Sequence, residues 1–338
     1  SKELIMLLSK SIISFPGFGI GDFSLDNVAI SIGDFAVFWY GVIITLGIVT
    51  AFLYVIFRGK YESVSFDSIL DIGLWTVVCG VAGARLYYVA FQWDMFKDNL
   101  IEILNIRGGG LGFYGGIIGG MLGLIIGCKV RGQKILPFLD VAGGAVLIGQ
   151  GIGRWGNFVN SEAFGCNTNL PWGMTSPKIA AYIARHSEET MGAVMDPSLP
   201  VHPTFFYESL WCAIGLLVFC YVMKKRKFDG QMFLFYLGWN GFGRMLIEGL
   251  RTDSLMIGPF RISQLLGALM FIFAVCAFGA AMKFLKSEKK PEWLGIFVET
   301  EKGKLVSEGK WDYKNNCEKA EVSEEKTETE EAENGNDN

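Results

Sequence analysis

Seven apolar segments, most of them about twenty residues long, are the feature that most constrains how this chain can fold. The hydrocarbon core of a bilayer is about 30 Å thick and is crossed by roughly 20 helical residues. The chain is 51% hydrophobic and only 19% charged, against about 25% charged residues in soluble domains. We therefore predict an all-α polytopic membrane protein with seven transmembrane helices. They lie at residues 35–57, 69–91, 109–128, 137–154, 204–223, 231–249 and 262–284.

The middle segments differ from the first and the last. The first and the last are continuous apolar runs, "FAVFWYGVIITLGIVTAFLYVIF" and "ISQLLGALMFIFAVCAFGAAMKF", whereas the middle ones contain glycines and isolated charges. Small residues let membrane helices approach one another closely. Charged residues at membrane depth face other helices or a polar cavity. We therefore expect the middle segments to be buried among other helices or to line such a cavity.

Basic residues in the short loops predict the orientation of the chain. They cluster in "RGK" (58–60), "KVRGQK" (129–134) and "KKRK" (224–227), and after Met282. These clusters fall on alternate loops, and such loops face the cytoplasm. The N-terminus is therefore expected outside and the C-terminus in the cytoplasm. The loops without a basic cluster, predicted to be external, are 92–108, 155–203 and 250–261.

The predicted organisation has three parts. Residues 1–34 form an external segment, whose start "LIMLLSKSIISF" has a composition typical of a short interfacial helix. Residues 35–284 form the membrane domain, with an external loop at 156–203. Residues 285–338 form a cytoplasmic tail whose end carries nine acids and two lysines from Glu318 onward. Such a composition cannot bury a core and predicts disorder.

Composition also argues against several classes of protein. Removing the acidic tail leaves only a small positive charge, which argues against a nucleic-acid partner. The seven cysteines stand singly without paired spacing, and we interpret them as packing residues. Only His186 and His202 are present, so a histidine-built metal site is not expected.

Polar residues gather near the predicted outer ends of the segments. Arg154 lies in "GQGIGRWGNFVNSEAFG" (149–165) and is followed closely by Asn157, Asn160 and Glu162. These charges have two interpretations: they form structural ion pairs that hold a helix bundle together, or they form a binding site. Charges at membrane depth are functional by default. Asn side chains offer both donors and acceptors to hydroxyl groups.

Further charges lie at the same predicted depth. Arg244 and Glu248 in "GFGRMLIEGLR" are one helical turn apart and share a face. Arg85 lies in "GARLYY", and Tyr114 opens the third segment in "RGGGLGFYGGIIGG". Three arginines at one depth favour an anionic headgroup as ligand, because the planar guanidinium matches phosphate.

The stretch "VHPTFFYESLW" opens the fifth segment with His202, then Tyr207 and Glu208. A helix cap with an interfacial tyrosine is the simpler interpretation, and a role in catalysis is the other. Tyr40 in "VFWYGV" is likewise typical of an aromatic belt.

Together these residues resemble the bacterial prolipoprotein diacylglyceryl transferase family. Its signature has the form G-R-x-G-N-F-x-N-x-E-x-x-G, and this chain reads "GRWGNFVNSEAFG" from Gly153 to Gly165. The other features named above follow in the order of the family, as does "R-x-x-x-E-x-x-R" ending at Arg251. The resemblance covers roughly residues 30–285.

The resemblance implies a multi-pass enzyme of the bacterial plasma membrane with its active site toward the outer face. The enzyme would move the diacylglyceryl group of phosphatidylglycerol to the lipobox cysteine of a prolipoprotein. A thioether and glycerol 1-phosphate would be the products, and no cofactor, metal or nucleotide would be needed. The external loop would shape the approach of the peptide that follows the lipobox cysteine.

The resemblance also implies site residues. Arg154 and Arg244 would clamp the phosphate, with Glu162 and Glu248 orienting them. The base could be Glu248, Tyr114 as phenolate, or no side chain at all, with the arginines acidifying the thiol. The residues expected to bind substrate are Arg154, Asn157, Asn160, Glu162, Gly165, Tyr40, Arg85, His202, Tyr207 and Glu208.

Two residues depart from the family pattern. Tyr114 stands where many members have histidine, and a neutral tyrosine with a pKa near 10 is a poor base. Phe205 stands where the family often has glutamine, which removes one polar contact.

Three other classes of protein compete with this interpretation. An outer-leaflet phospholipid-binding transporter or channel could hold the same charges, although the sequence shows no internal repeat. An intramembrane protease would need a Ser–His or paired-Asp set, which Asp71 and Asp140 do not supply. A purely structural scaffold would not explain polar residues at the mouth of a glycine-lined cavity.

Overall fold

The structure is a computed structural model, and it is mostly helical. It describes residues 10–32, 35–62, 64–97, 99–105, 109–186, 194–252, 256–257, 260–287, 291, 294–308, 310–312 and 317–318. The helices are α1 (Trp39–Gly59), α2 (Phe66–Phe91), α3 (Trp93–Phe96), α4 (Phe113–Val130), α5 (Ile135–Asn160), α6 (Pro177–Arg185), α7 (Thr204–Met223), α8 (Gln231–Ile247), α9 (Ile262–Leu285) and α10 (Glu301–Ser307).

Short strands and 3-10 turns complete the described residues. The strands pair in sequence as antiparallel hairpins: β1 (Lys10–Phe15) with β2 (Ile20–Asp26), β3 (Val28–Ile32) with β4 (Phe35–Phe38), β5 (Met256–Ile257) with β6 (Phe260–Arg261), and β7 (Trp311–Asp312) with β8 (Cys317–Glu318). The 3-10 turns are Pro16–Phe18, Lys60–Glu62, Leu100–Leu104, Glu248–Leu250 and Phe297–Glu299.

Each predicted span coincides with a helix of at least 17 residues. Among the described residues, five helices are long and apolar enough to cross a membrane, namely α1, α2, α5, α7 and α9. The apolar helix α4 is shorter, and α8 has only 17 residues, among them the polar Asn240 and Arg244. The chain is therefore a membrane protein with several spans, and the count of seven stays a prediction.

The N-terminal region differs from the prediction. Residues 10–15, expected to be part of an interfacial helix, form strand β1, and residues 1–9 lie outside the described part of the chain. The sequence "KSIISF" alternates exposed and buried side chains at its start, which suits a strand. Residues 35–38, expected to open the first span, pair with β3, so the helix begins only at Trp39.

The chain divides into two compact units, one of residues 1–59 with 136–296 and the other of residues 60–135 with 297–338. We call them the first and the second unit.

In the second unit, α2 and α4 approach backbone to backbone through glycines. A Cβ atom added to Gly119 would lie 2.2 Å from the Cys79 carbonyl oxygen. One added to Gly115 would lie 2.3 Å from the Gly83 carbonyl oxygen. Real side chains cannot approach so closely, so glycine is required at both positions. For this pair, the expectation that glycines allow close approach of the helices is confirmed, whereas only 22% of the most apolar stretch of α2 is buried.

In the first unit, α5 is the interior helix. Half of its most apolar stretch is buried, compared with 6% for α1 and 11% for α9. Leu147 of α5 packs in one buried cluster with Phe219 of α7 and Met232 of α8. Asp140, which is fully buried, accepts hydrogen bonds from the backbone N–H groups of Gly230 and Phe233 and so caps the start of α8.

The first unit also contains a small domain that follows the end of α5. Its buried core includes Ile13 of β1, Ile179 of α6, and the loop residues Met174 and Val201. Ser14 and Thr175 exchange backbone hydrogen bonds of 3.0 and 2.9 Å. The N-terminal strand and the loop after α5, both predicted to be external, therefore fold together. We call this assembly the outer domain, after the position predicted for both segments.

Candidate active site

Glu208 in the second turn of α7 lies at the centre of a group of arginines. Its Oε2 contacts Nη2 of Arg154 on α5 and lies 3.7 Å from Nη1 of Arg244 on α8. Its Oε1 lies 3.1 Å from Nη1 of Arg251. The side chain of Glu208 is only 10% exposed. One buried carboxylate therefore joins three guanidinium groups that come from three parts of the chain.

Glu248 is the second carboxylate of this group. Its Oε2 lies 3.1 Å from Nη1 of Arg244, as the spacing of one helical turn predicted. Its backbone carbonyl accepts a hydrogen bond from Arg261. The carboxylate is almost fully buried, so Arg244 is held from both sides, by Glu208 and by Glu248. We call Arg154, Arg244, Arg251, Glu208 and Glu248 the arginine cluster.

The arginine cluster combines three arginines with two glutamates. Guanidinium groups bind anionic groups such as phosphates through directional, charge-assisted hydrogen bonds. A cavity opens onto Arg154, Glu208 and Arg244, and Gln150, Trp211, Cys212, Asn240, Gly243 and Ile247 complete its lining.

The residues after Arg154 fold back toward it. Arg154 donates to Oδ1 of Asn157 over 3.4 Å, and Asn157 donates to Oε1 of Glu162 over 2.9 Å. Asn160 lies 3.5 Å from the same Glu162 oxygen. Glu162, expected to orient Arg154, thus reaches Arg154 through Asn157, and the carboxylate in direct contact with Arg154 is Glu208.

The turn after α5 is tight. Ser161 and Ala163 have φ angles of 51° and 53°, a left-handed conformation that is uncommon for residues other than glycine. The Thr204 hydroxyl donates to the Ala163 carbonyl and fastens this turn to the start of α7. The turn thereby brings Glu162 back over the end of α5.

Gly165, the last residue of the signature, allows two segments to meet. It forms an isolated β-bridge with Arg251, and its N–H donates to the His202 carbonyl over 2.9 Å. A Cβ at this position would lie 2.8 Å from Cβ of His202 and 3.0 Å from the Leu250 carbonyl oxygen. Glycine therefore lets the outer domain lie against the backbone that carries Arg251.

Tyr207 and His202 form a second polar group in the first unit. The Tyr207 hydroxyl accepts a hydrogen bond from Nε1 of Trp172 over 2.6 Å and lies 3.0 Å from Nδ1 of His202. Burial lowers the pKa of the His202 imidazole below its ordinary value of 6.5. His202 is therefore neutral at neutral pH, and it serves as a hydrogen-bonding group rather than as a cation.

The remaining predicted residues lie elsewhere. Tyr40 packs on Gly156 of α5, where an added Cβ would lie 3.0 Å from the tyrosine ring. Arg85 and Tyr114 belong to the second unit. There Arg85 donates to four backbone carbonyls, at distances of 2.6 to 3.0 Å. The Tyr114 ring lies beside that of Tyr87, with the centroids 6.4 Å apart. Their part in the site stays a prediction.

The site prediction left out three residues of the first unit. Arg251 is a full member of the arginine cluster, and Gln150 and Asn240 line its cavity. Helical spacing could have indicated two of them. Gln150 precedes Arg154 by one turn and Asn240 precedes Arg244 by one turn, so each shares a helix face with an arginine. Arg251 follows Glu248 by three residues in "EGLR".

Fold and site together define a helical membrane protein that holds a buried arginine cluster beside a small domain with its own hydrophobic core. Comparison with known sequences specifies the family. The family model of prolipoprotein diacylglyceryl transferase matches residues 27–279. The chain therefore belongs to the prolipoprotein diacylglyceryl transferase family, which confirms the resemblance of the signature.

Individual relatives are similar over most of their length. A phosphatidylglycerol–prolipoprotein diacylglyceryl transferase of Finegoldia magna is 42% identical over 252 residues, which cover 74% of this chain and 94% of the relative. Proteins of the same name from Clostridium botulinum and Listeria welshimeri are 38% identical over 251 and 259 residues. These alignments cover 74% and 76% of this chain, and 95% and 90% of the respective relatives.

Proposed function

We propose that this chain transfers the diacylglyceryl group of phosphatidylglycerol to the lipobox cysteine of prolipoproteins. The reaction forms a thioether and releases glycerol 1-phosphate. The observation that carries the proposal is the arginine cluster in a chain of this family, because it joins three guanidinium groups beside a cavity that Arg154 and Arg244 line. The names of the relatives supply the donor lipid and the acceptor protein.

The charge of the arginine cluster suits this donor. A phosphodiester carries one negative charge and presents oxygens that match the planar donors of a guanidinium group. When the ester bond breaks, the leaving phosphate becomes a monoester with a charge of about −1.5 to −2 at neutral pH. Fixed guanidinium donors stabilise charge that develops in the transition state. Arg154 and Arg244 therefore act as the phosphate clamp, supported by Arg251.

In the bond-making step the cysteine sulfur attacks the glyceryl carbon that bears the phosphate. A carbon–sulfur bond forms, and the carbon–oxygen bond breaks with its electron pair going to the phosphate oxygen. The thiol proton must leave first, and a free thiol has a pKa of about 8.5 that nearby cations lower. Glu248 is buried against Arg244, which favours orientation of that arginine over proton transfer. Tyr114 and acidification by the arginines remain as the other two routes.

The hydroxyl groups of the glycerol head require polar partners beside the clamp. Asn157, Asn160 and Glu162 form a hydrogen-bonded group that continues from Arg154. Amide and carboxylate groups can accept hydrogen bonds from a diol, and the amides can also donate to it. These three residues therefore select a glycerol headgroup. His202 and Tyr207 are proposed to contact substrate nearby.

The proposed location is the bacterial plasma membrane, with the arginine cluster toward the outer face. The basic loops that follow α1, α4, α7 and α9 support this orientation. The outer domain then lies on the side where exported prolipoproteins arrive. Its loop, residues 156–203, shapes the approach of the peptide that follows the lipobox cysteine.

The test is a transfer assay with purified protein, radiolabelled phosphatidylglycerol and a lipobox peptide. The peptide carries either its cysteine or a serine at the same position. We expect label on the cysteine peptide only, together with release of glycerol 1-phosphate. A folded protein that labels neither peptide would overturn the proposal, and label on the serine peptide would contradict the thioether chemistry.

A further inference from the structure

Two tryptophans join α7 to α8 beside the arginine cluster. Nε1 of Trp211 donates to the backbone carbonyl of Trp239, and Nε1 of Trp239 donates to the backbone carbonyl of Trp211, both over 3.0 Å. The two indole rings are stacked, with centroids 4.4 Å apart and planes inclined by 19°. Each tryptophan therefore supplies both a ring contact and a directional hydrogen bond to the same junction.

The same short pattern builds both sides of this junction. Each tryptophan is followed four residues later by a glycine, in "WCAIG" on α7 and "WNGFG" on α8. A Cβ added to Gly215 would lie 2.3 Å from Nε1 of Trp239, and one added to Gly243 would lie 2.3 Å from Nε1 of Trp211. Each indole thus occupies the space above the opposite glycine. We call these four residues the tryptophan junction.

The tryptophan junction is adjacent to the arginine cluster along both helices. Glu208 precedes Trp211 by one helical turn, and Arg244 directly follows Gly243. Trp211 and Gly243 also line the cavity that Arg154 lines. The junction and the contact of Glu208 with Arg244 therefore join the same two helices at nearly the same level.

The junction fixes how far α7 and α8 are displaced along their axes. Two reciprocal hydrogen bonds and two glycine contacts are satisfied together in only one arrangement. A displacement by one residue would move a helix by about 1.5 Å along its axis. The 3.7 Å distance between Glu208 and Arg244 would not survive such a movement.

We propose that Trp211 and Trp239 are positioning residues for the proposed transfer reaction, on which this inference rests. They set the axial register of α7 and α8, and so hold Arg244 where it meets both Glu208 and the phosphate. Neither indole has to touch the reacting atoms. A misplacement of about 1 Å in a preorganised site can lower a rate by about 100-fold. Because the clamp acts most strongly on the charge that develops as the ester bond breaks, a misplacement affects the transition state more than the ground state.

The test uses Trp211→Phe and Trp239→Phe, which keep an aromatic ring and remove one N–H donor each. Trp93→Phe is the control, since Trp93 is 52% exposed on the short helix α3. We expect each junction variant to lower kcat by about tenfold to 100-fold, with KM for phosphatidylglycerol unchanged. The control should retain the wild-type kcat. The two variants lie on different helices, so if one of them fails to fold, the kcat of the other still tests the positioning role.

A spectroscopic signal separates positioning from general damage. Stacked indoles give a paired circular-dichroism band, and this band should disappear in each junction variant while the helical signal remains. Gly243→Ala should lose the same band. The double variant of Gly243→Ala with Trp211→Phe should have the same kcat as Gly243→Ala alone, because both changes remove the same contact.

The outcomes are distinguishable. Folded junction variants with the wild-type kcat, or with a raised KM and the wild-type kcat, would overturn the positioning role while the transfer reaction stands. A wild-type protein that transfers no lipid would instead overturn the proposed function, and this inference with it.

Discussion

At the scale of single residues, Glu208 connects more of the site than any other side chain described in the arginine cluster. It meets Arg154, Arg244 and Arg251 and lies in a buried position. Each of these arginines depends on it for part of its neutralisation. Two functions therefore meet in one carboxylate: it stabilises the packing of α5, α7 and α8, and it orients the guanidinium groups.

We predict that Glu208→Gln lowers both stability and transfer. The substitution keeps the size of the side chain and removes its charge, and breaking a buried ion pair costs about 3–5 kcal/mol. Thermal unfolding in detergent micelles measures the first effect and the transfer assay the second. Asp94→Asn is the control, because Asp94 forms an exposed pair with Lys97 that contributes little. Equal melting temperatures for Glu208→Gln and wild type would contradict the central place of this carboxylate.

His202 gives a prediction of pH dependence. Burial lowers the pKa of its imidazole in the folded protein, so the unfolded chain takes up the proton more readily. The contribution of His202 to the free energy of unfolding is thus complete above the ordinary pKa of about 6.5 and is lost as the pH falls below it. Melting temperatures of wild type and His202→Gln, measured from neutral to mildly acidic pH, should converge on acidification. A gap that widens toward acidic pH would refute this assignment.

At the scale of elements, the glycine contact between α2 and α4 gives the sharpest prediction. Gly119→Ala places a Cβ atom 2.2 Å from the Cys79 carbonyl oxygen, so the two helices must separate. We expect a clear loss of thermal stability. Gly279→Ala in α9 is the matched control, because an added Cβ meets nothing within 4 Å there. Alanine is favoured over glycine inside a helix by about 1 kcal/mol. Equal behaviour of the two variants would show that close packing does not stabilise α2 against α4.

The sequence predicts the long helices well, because an apolar run in a membrane must satisfy its backbone hydrogen bonds within itself. It predicts their ends less well. The fourth span was expected to end at 154, yet α5 continues to Asn160. Glu208 reaches Arg154 from α7 and neutralises it, so the charge does not end the helix. The strands β1–β4 were missed, because their pairing competes with apolar composition that is equally typical of an interfacial or spanning helix.

The same difference holds for the site. Arg244 and Glu248 were predictable as partners, because they lie one turn apart on one helix. The sequence predicted Glu162 as the carboxylate that orients Arg154. The direct contact is instead with Glu208, which is 54 residues away on another helix. Spacing along a chain shows which residues share a helix face. It does not show which helices become neighbours.

At the scale of the whole molecule, the orientation in the membrane is open to a direct test. Ser198 lies exposed in the outer domain, and Lys225 lies exposed in the basic loop after α7. We predict that a membrane-impermeant thiol reagent labels Ser198→Cys in intact cells and leaves Lys225→Cys unlabelled until the cells are opened. The unsubstituted chain gives the background from its own cysteines. The reverse pattern would place the arginine cluster toward the cytoplasm and would contradict the proposed location.

The measurement that tests the central claim most directly compares Arg154→Lys and Arg154→Ala in the transfer assay. Lysine keeps the charge and loses the planar fork that matches phosphate. The account predicts no transfer for Arg154→Ala, and a reduced kcat for Arg154→Lys. Arg131→Lys, which alters a half-exposed pair with Asp71 in the second unit, should retain full activity. Transfer at the wild-type rate by folded Arg154→Ala would show that this arginine does not bind the phosphate.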